Sequence, residues 1–186
     1  ETAGPYGDIT GMSENPAYYR QDITEGKAGI PLSLMLTVVD ANNGCVAVPN
    51  ATVEIWHCDA EGHYSEYSQP GYDGTGTTFL RGLQISDANG QVKFTTIYPG
   101  WYQGRVTHIH VEIFVNGALV KTTQFAFPES ITTQVYTTAA YVDNGQNPTN
   151  NSRDSEFSDG IEYQMLSVTG NTTNGYVGTL PLGIAL

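Results

Sequence analysis

Two histidines separated by one residue are the first feature of the sequence that could do chemistry. His108 and His110 form the segment His-Ile-His within a run rich in apolar residues. Because side chains alternate between the two faces of a strand, both imidazoles would point the same way, about 7 Å apart along the backbone. Two converging imidazoles can bind a metal ion, but two hydrogen-bonded surface histidines would have the same spacing. The pair alone leaves both interpretations open.

The segment before this pair adds two further groups that could take part in chemistry. Tyr102 closely follows a Pro-Gly turn at 99–100, and Arg105 lies three residues ahead of His108. A guanidinium can stabilise negative charge that builds up on a substrate. Taken alone, however, each residue has a plainer interpretation: Tyr102 as a packed core aromatic, and Arg105 as the salt-bridge partner of one of the many acidic residues.

Short strands joined by turns must position these residues. The turns are marked by Asp87-Ala-Asn-Gly90 and by Asn116-Gly117, a strong hairpin pattern. The first strand is apolar at nearly every position, which predicts burial of both its faces. The pattern predicts an all-β fold, a β-sandwich of mostly antiparallel strands with little helix. The predicted strands cover residues 32–39, 52–58, 78–85, 91–97, 108–115, 118–126, 162–168 and 176–180.

Three segments lack strand periodicity. We predict an extended N-terminal arm at residues 1–30. We predict long loops at residues 59–76 and 142–160, because both segments are rich in turn-forming residues. Loops of this length are usually functional or disordered, so we expect them to contribute to an active site. No linker or internal repeat divides the chain, and residues 1–186 therefore predict a single domain.

Composition restricts the classes of partner. The formal net charge is −12 and the chain has only seven Lys and Arg residues, too few for a polybasic surface that binds nucleic acid or anionic membranes. No apolar run approaches the roughly 18 residues that cross a bilayer. The sequence begins at Glu1 without a signal peptide, and its low Lys content is typical of exported proteins. We expect a secreted or periplasmic location.

The two cysteines, Cys45 and Cys58, bear on the same question. A pair of cysteines in a short exported chain permits one disulfide, and this is the interpretation we favour. The alternative is two separate thiols buried in the fold.

Three blocks of sequence together resemble the intradiol ring-cleavage dioxygenase family, which includes catechol and protocatechuate dioxygenases. They are ATVEIWHCDAEGHYSEY at 51–67, TFLRGLQISDANGQVKFTTIYPGWYQGRVTHIHVEI at 78–113 and TTQFAF at 122–127. The Gly-Pro-Tyr element within residues 2–6 is similar to one in that family. The resemblance extends from about residue 30 to residue 140, with a weaker likeness at both ends.

The resemblance implies a mononuclear, non-haem iron site. In that family two tyrosinates and two histidines bind a ferric ion, and the matching positions here are Tyr64, Tyr102, His108 and His110. The reaction implied is insertion of both atoms of O2 into a catechol-type ring, between its two hydroxyls, to give a muconate-type diacid. The expected cofactor is Fe(III), and the expected partners are a small catechol-type substrate and O2.

The same resemblance implies catalytic roles for three residues. Tyr102 would also act as a base when the substrate displaces it from the iron. Arg105 would stabilise negative charge on the substrate ring, and Gln124 would assist it by hydrogen bonding.

Four aromatic residues could form the wall of a substrate pocket. For each of them ordinary packing is at least as good an interpretation. The four are Trp101, Tyr6, Tyr67 and Tyr72.

Two other functions remain to be weighed. A non-catalytic extracellular β-sandwich binding module would require the four ligand-type residues to be a coincidence. A zinc or copper hydrolase at the His-Ile-His pair would need a carboxylate base or third histidine, and neither is obvious nearby. The chain resembles short exported members of the family that lack a helical N-terminal dimerisation segment. Its oligomeric state stays open, with a homodimer as one option.

Overall fold

The computed structural model describes residues 2–186 and contains two β-sheets packed face to face, so the predicted β-sandwich is confirmed. A short helix, α1, covers Glu129–Val135. Four 3-10 turns cover Met12–Glu14, Pro16–Tyr18, Asn151–Arg153 and Ser155–Phe157. The strands are β1 (Pro31–Asp40), β2 (Val46–Ala47), β3 (Thr52–Trp56), β4 (Ser68–Gln69), β5 (Tyr72–Asp73), β6 (Arg81–Ile85), β7 (Gln91–Ile97), β8 (His108–Val115), β9 (Ala118–Ala126), β10 (Ser167–Asn171) and β11 (Gly175–Ile184).

The first sheet is built around β1. Strand β11 runs parallel to β1, and β7 and β2 pair with it antiparallel, while β10 adds to the outer edge of β11. The β1–β11 pair joins segments about 145 positions apart in the sequence, from Leu32 opposite Tyr176 to Asp40 opposite Ile184. This long-range pair brings strands from the two ends of the chain side by side in one sheet.

The second sheet carries the predicted chemistry. Its order is β6-β3-β8-β9, and every pair in it is antiparallel. One row of directly opposed residues crosses all four strands: Arg81 lies opposite Trp56, Trp56 opposite His110, and His110 opposite Gln124. Because opposed residues share a face of the sheet, these four side chains stand on one side of it.

The hydrophobic core lies between the two sheets. Leu34 and Phe94 enter it from the first sheet, and Ile55, Ile109 and Ile113 enter it from the second. Since side chains alternate along β8, the histidines on either side of Ile109 point away from this core. The chemistry-bearing face of the second sheet is therefore the outer one, which the N-terminal arm and the long loops cover.

The prediction that both faces of the first strand are buried was wrong. Leu34 and Leu36 are buried, but Ser33 and Met35 on the opposite face are exposed. This face of β1 is therefore open to solvent at Ser33 and Met35.

Regular structure also appears where loops were predicted. Helix α1 was not predicted, and the 59–76 segment contains the small hairpin formed by β4 and β5. Within residues 2–186, no helix is long and apolar enough to cross a bilayer.

The N-terminal arm packs along the outer face and edge of the second sheet. Residue 1 of the predicted 1–30 arm lies outside the described residues. Met12 and Ile23 are fully buried, and Tyr19 forms an isolated bridge with Leu83 at the free edge of β6. The arm therefore protects an edge strand that would otherwise expose unpaired backbone groups.

The predicted Cys45–Cys58 disulfide was wrong, because both cysteines are free thiols. Cys45 lies in the exposed turn that follows β1, with a backbone φ of 59°. Cys58 is buried beyond the end of β3, among Trp56 and Tyr64. Burial raises the pKa of the Cys58 thiol above its ordinary value, so this thiol stays protonated.

A buried carboxyl on the outer face of β3 makes stability depend on pH. Glu54 is 2% exposed and lies opposite Glu112. Burial, then the charges of Asp8 and Glu112, raise the pKa of Glu54 to about 8, and Arg81 partly opposes this. The native state thus holds a proton that the unfolded chain releases above about pH 4.3. Stability should fall as pH rises between these two pKa values.

We therefore expect Glu54→Gln to stabilise the metal-free protein by about 3 kcal/mol at pH 8 and by little at pH 5. Denaturant unfolding at both pH values measures this difference. Glu14→Gln, at an exposed position, is the matched control and should change stability equally little at both pH values. Equal effects of Glu54→Gln at pH 5 and pH 8 would show that Glu54 ionises normally.

Candidate metal centre

The two histidines of β8 converge as their spacing predicted. Their Nε2 atoms lie 3.1 Å apart, and both side chains are buried. The Nδ1 N–H of His108 donates to the carbonyl of Val106 at 2.6 Å, which leaves a lone pair on its Nε2. The His110 ring stacks on Trp56 with centroids 5.0 Å apart and planes 3° apart, so packing fixes its orientation.

Both predicted tyrosine ligands join this pair. The Tyr102 hydroxyl lies 3.5 Å from Nε2 of His108. The Tyr64 ring is 5.7 Å from the Tyr102 ring and 6.2 Å from the His110 ring, measured between centroids. The Tyr64 hydroxyl is fully buried, and within residues 2–186 no group forms a hydrogen bond with it. The structure thus brings together all four predicted ligands, which come from a loop, a turn and a strand.

Close backbone packing brings the two tyrosine-bearing segments together. A Cβ at Gly62 would lie 2.3 Å from the carbonyl oxygen of Trp101, and one at Gly100 would lie 2.4 Å from that of Asp59. The Gly100 N–H also donates to this Asp59 carbonyl at 3.0 Å. Only glycine permits such contact, so the loop carrying the first tyrosine and the turn carrying the second pack backbone to backbone.

The electrostatics of the site match what a metal ion requires. Burial, followed by the nearby Arg105 charge, lowers the pKa of His108 to about 3, and burial lowers that of His110 well below its ordinary value. Both imidazoles are therefore neutral at pH 7, as metal ligands must be. Burial raises the pKa of Tyr102 to about 12, although Arg105 opposes this, and raises that of Tyr64 well above 10.

These donors therefore fit a metal cation. Without a cation the fully buried Tyr64 and the half-buried Tyr102 would both keep their phenol protons, and a bound cation supplies the charge that makes them phenolates. A buried hydroxyl without a partner, as at Tyr64, costs free energy that a metal–oxygen bond would recover. Among residues 2–186, no cluster of three or more His, Cys, Asp or Glu side chains is arranged to hold a metal. The groups beside the histidine pair are the two phenols. A zinc or copper hydrolase would need a further histidine or a carboxylate there.

Arg105 and Gln124 meet beside the ligands. One guanidinium nitrogen of Arg105, Nη2, donates to Oε1 of Gln124, and another, Nη1, lies 3.5 Å from Nε2 of His108. The salt-bridge interpretation of Arg105 is confirmed, since its Nε also donates to both carboxylate oxygens of Asp154, at 3.1 and 2.9 Å, whereas its role toward a substrate stays a prediction. The salt bridge holds the guanidinium at the site.

Two of the four predicted pocket aromatics lie at the site. The Tyr6 ring stacks on Tyr64, with centroids 4.5 Å and planes 22° apart, and Tyr67 meets Tyr6 edge-on at 5.2 Å. The other two lie elsewhere. Tyr72 stacks on His63 at 4.3 Å, and Trp101 packs against the main core with its N–H donating to the carbonyl of residue 145.

The N-terminal arm covers the ligands. Gly4 lies against His110 so closely that a Cβ there would be 2.8 Å from the ring carbon Cε1. A cavity of about 720 Å³ lies elsewhere, along β9 and β11, and none of the four predicted ligands lines it. The four predicted ligands therefore lie under the arm and not along this cavity.

The chain is similar to known proteins both in sequence and in structure. The family model described as dioxygenase matches residues 3–165. An intradiol ring-cleavage dioxygenase from Tetranychus urticae superposes with a TM-score of 0.83 and 30% identity, over 90% of this chain and 86% of that one. The chain belongs to the intradiol ring-cleavage dioxygenase family. The predicted family is thereby confirmed.

Two further known proteins are similar to the chain. The dioxygenase domain of a dioxygenase–carbohydrate-binding fusion from Streptomyces sp. SirexAA-E is 26% identical, with a TM-score of 0.71, over 100% of this chain and 96% of that one. Catechol 1,2-dioxygenase of Acinetobacter baylyi is 31% identical over an alignment of 134 residues that covers 62% of this chain and 42% of that enzyme. The match therefore spans less than half of the Acinetobacter enzyme.

One residue that binds Arg105 at this site was not indicated by any sequence pattern. Asp154 lies in the segment predicted as a surface loop, yet it is 2% exposed. Besides Arg105, it accepts the backbone N–H of Val106 at 2.7 Å and that of Glu156 at 2.9 Å. In the sequence, a buried aspartate among turn residues looks the same as a solvent-exposed one. Only the folded loop shows that Asp154 is buried at the site.

We expect Asp154→Asn to lower the free energy of unfolding of the protein by about 3 kcal/mol, because it leaves the Arg105 charge without its carboxylate partner. Urea unfolding of the metal-free protein measures the change. Asp87→Asn is the matched control, since the Asp87 carboxylate accepts two backbone N–H groups in an exposed turn but no arginine. A loss for Asp154→Asn no larger than that for Asp87→Asn would contradict the prediction.

Proposed function

We propose that this chain is a mononuclear, non-haem Fe(III) dioxygenase that cleaves catechol-type rings between their two hydroxyls. The observation that carries the proposal is the donor set: two neutral imidazoles with Nε2 atoms 3.1 Å apart, beside one fully buried and one half-buried phenol. Phenolate is a hard anionic donor that favours Fe(III). We assign the ligands as Tyr64, Tyr102, His108 and His110. Bound there, Fe(III) would accept electron density from a chelated catecholate and make a ring carbon reactive toward O2.

The second tyrosine is suited to move a proton. Tyr102 is half-buried, whereas Tyr64 is fully buried, so the Tyr102 hydroxyl is the one that a substrate could reach. Burial raises the pKa of Tyr102 to about 12, so its phenolate would be a strong base toward a catechol hydroxyl. We therefore assign Tyr102 as the acceptor of one substrate proton.

The guanidinium of Arg105 supplies fixed positive charge. Gln124 and Asp154 hold it from two directions, so it needs no reorganisation when negative charge builds up on the substrate ring. Gln124 is thus assigned to orient Arg105. The stacked pair of Tyr6 on Tyr64 supplies a flat aromatic surface, which suits a planar substrate.

Oxygen uptake and product analysis test the proposal. Iron-loaded protein is mixed with catechol, protocatechuate and hydroxyquinol under ¹⁸O2, and the products are identified by mass spectrometry. We expect a red to purple protein, one O2 consumed per ring, and both labelled atoms in a ring-opened diacid. An iron-loaded but colourless protein would contradict the tyrosinate ligands. Extradiol products or single-atom incorporation would contradict the reaction class.

Nothing in the structure favours the non-catalytic binding module. That alternative leaves the buried, unpartnered Tyr64 hydroxyl and the facing imidazoles without a purpose. A secreted or periplasmic location stays a prediction, and fractionation of the source cells would test it. The possible homodimer likewise stays a prediction, which sedimentation equilibrium would test.

A further inference from the structure

A buried arginine outside the predicted site lies in the same sheet row as a metal ligand. Arg81 begins β6, opposite Trp56, which in turn lies opposite His110. Arg81 is fully buried, which is rare for an arginine unless it is held by specific partners. The other end of the row is Gln124, which already contacts Arg105.

The guanidinium of Arg81 joins the first-tyrosine loop to the N-terminal arm. Its Nη2 donates to the carbonyl of Tyr6 at 2.9 Å and to that of Ser65 at 3.0 Å. Its Nε donates to the Ser65 hydroxyl at 2.9 Å and lies 3.5 Å from a carboxylate oxygen of Glu66. One side chain thus binds the residue that follows Tyr64 and the residue whose ring stacks on Tyr64.

The opposite end of the row binds the arm in the same way. Nε2 of Gln124 donates to the carbonyl of Thr2 at 2.8 Å. Between the two attachment points, Gly4 rests on the ring of His110. Residues 2–6 therefore cross the row as a strap that is fixed at both ends and pressed against a ligand in the middle.

We propose that Arg81 is a positioning residue, which holds this strap so that the Tyr6 ring stays stacked over Tyr64 and shapes the substrate pocket. This inference rests on the proposed function for its catalytic consequence, but not for its structural one. A guanidinium fits the task because it donates to two carbonyls and a hydroxyl at once in a fixed plane. Lysine would keep the charge and lose that geometry.

Protection of the strap against proteolysis tests the structural step without metal or turnover. Chymotrypsin cuts after tyrosine, and cleavage between Tyr6 and Gly7 requires the strap to leave the site. We expect Arg81→Lys to speed this cut, followed by mass spectrometry on native metal-free protein, by about 10- to 100-fold, the worth of a charged hydrogen bond. A folded Arg81→Lys protein cut there within about twofold of the wild-type rate would overturn the proposal.

Arg20→Lys is the matched control. Arg20 also donates to backbone carbonyls, those of Thr78 and Arg81, but within residues 2–186 it forms no hydrogen bond or ion pair with residues 2–8. We expect no change in the cut after Tyr6, and an increase as large as that of Arg81→Lys would overturn the proposal. If Arg81→Lys fails to fold, Ser65→Ala removes the Ser65 hydroxyl, which orients Nε and also donates to the carbonyl of Phe79. It should speed the cut by about threefold or more, and an unchanged rate would overturn the proposal.

Coupling to Tyr6 tests the catalytic step. If Arg81 acts through the strap, Arg81→Lys should raise KM for a catechol several-fold more than it lowers kcat. That increase should largely disappear when Tyr6→Ala is already present. Additive effects of the two substitutions would overturn the positioning role. Absence of turnover in the wild type would instead contradict the proposed function, and would leave the proteolysis result standing.

Discussion

Tyr64→Phe should abolish turnover while making the metal-free protein more stable. The substitution removes only a hydroxyl that is buried without a hydrogen-bond partner among residues 2–186, and it leaves the ring stacked on Tyr6. Removing an unsatisfied buried hydroxyl should raise the free energy of unfolding by about 1 kcal/mol. Activity should fall by more than about 100-fold, because losing even an outer partner of a metal ligand costs 10- to 100-fold.

Opposite changes in stability and activity are characteristic of a functional group held at a cost. Thermal unfolding without metal, iron content, visible absorbance and O2 uptake measure the two effects side by side. Tyr163→Phe is the matched control, since Tyr163 is 87% exposed, and it should change none of these quantities. Full iron binding and wild-type colour in Tyr64→Phe would remove Tyr64 from the ligand set.

Gly62→Ala should be the most damaging single-methyl change near the site. Gly62 has φ +90°, which disfavours any side chain, and its Cβ would lie 2.3 Å from the Trp101 carbonyl oxygen. Strain of about 1–2 kcal/mol adds to roughly 1–3 kcal/mol of overpacking against backbone that cannot rotate aside. The methyl also pushes apart the segments that carry Tyr64 and Tyr102, so iron affinity should fall along with stability.

Gly104→Ala separates the two causes. Gly104 has φ +91°, nearly the same conformation, yet nothing lies within 4 Å of its Cβ position. Gly104→Ala should therefore lower the free energy of unfolding by only about 1–2 kcal/mol and leave iron binding unchanged. Denaturant unfolding and iron titration of both variants provide the comparison. Equal losses would mean that backbone strain alone matters and that the close contact has no role in holding the ligands.

Local patterns predicted β8, the strand on which the two histidines lie, and also β7 and β9. The bounds of β7, β8 and β9 match the prediction at both ends, because Asp87–Gly90 and Asn116-Gly117 are turns whose chemistry leaves few alternatives. The resemblance then named all four candidate ligands, which the structure brings together. Features that depend on one segment and its turns were thus accessible from the sequence.

Features that depend on distant segments were not. Helix α1 has only seven residues, with β-branched Ile131, Thr132 and Thr133 in its interior, and it exists because it packs beside the core. Arg81 was contained in a recognised block, but its role depends on a strap that begins about 75 residues earlier. Asp154 was likewise hidden, because its burial depends on how a long loop folds.

The attachments of the strap are made to main-chain atoms. The Thr2, Tyr6 and Gly7 carbonyls accept from Gln124, Arg81 and Tyr67, so the anchoring bonds are independent of most strap side chains. Natural variation or directed evolution could therefore exchange the residues at positions 3, 5 and 6. Such exchanges would change the surface of the strap that covers the ligands without detaching the strap. A small library at these three positions offers a direct route to new ring substituents.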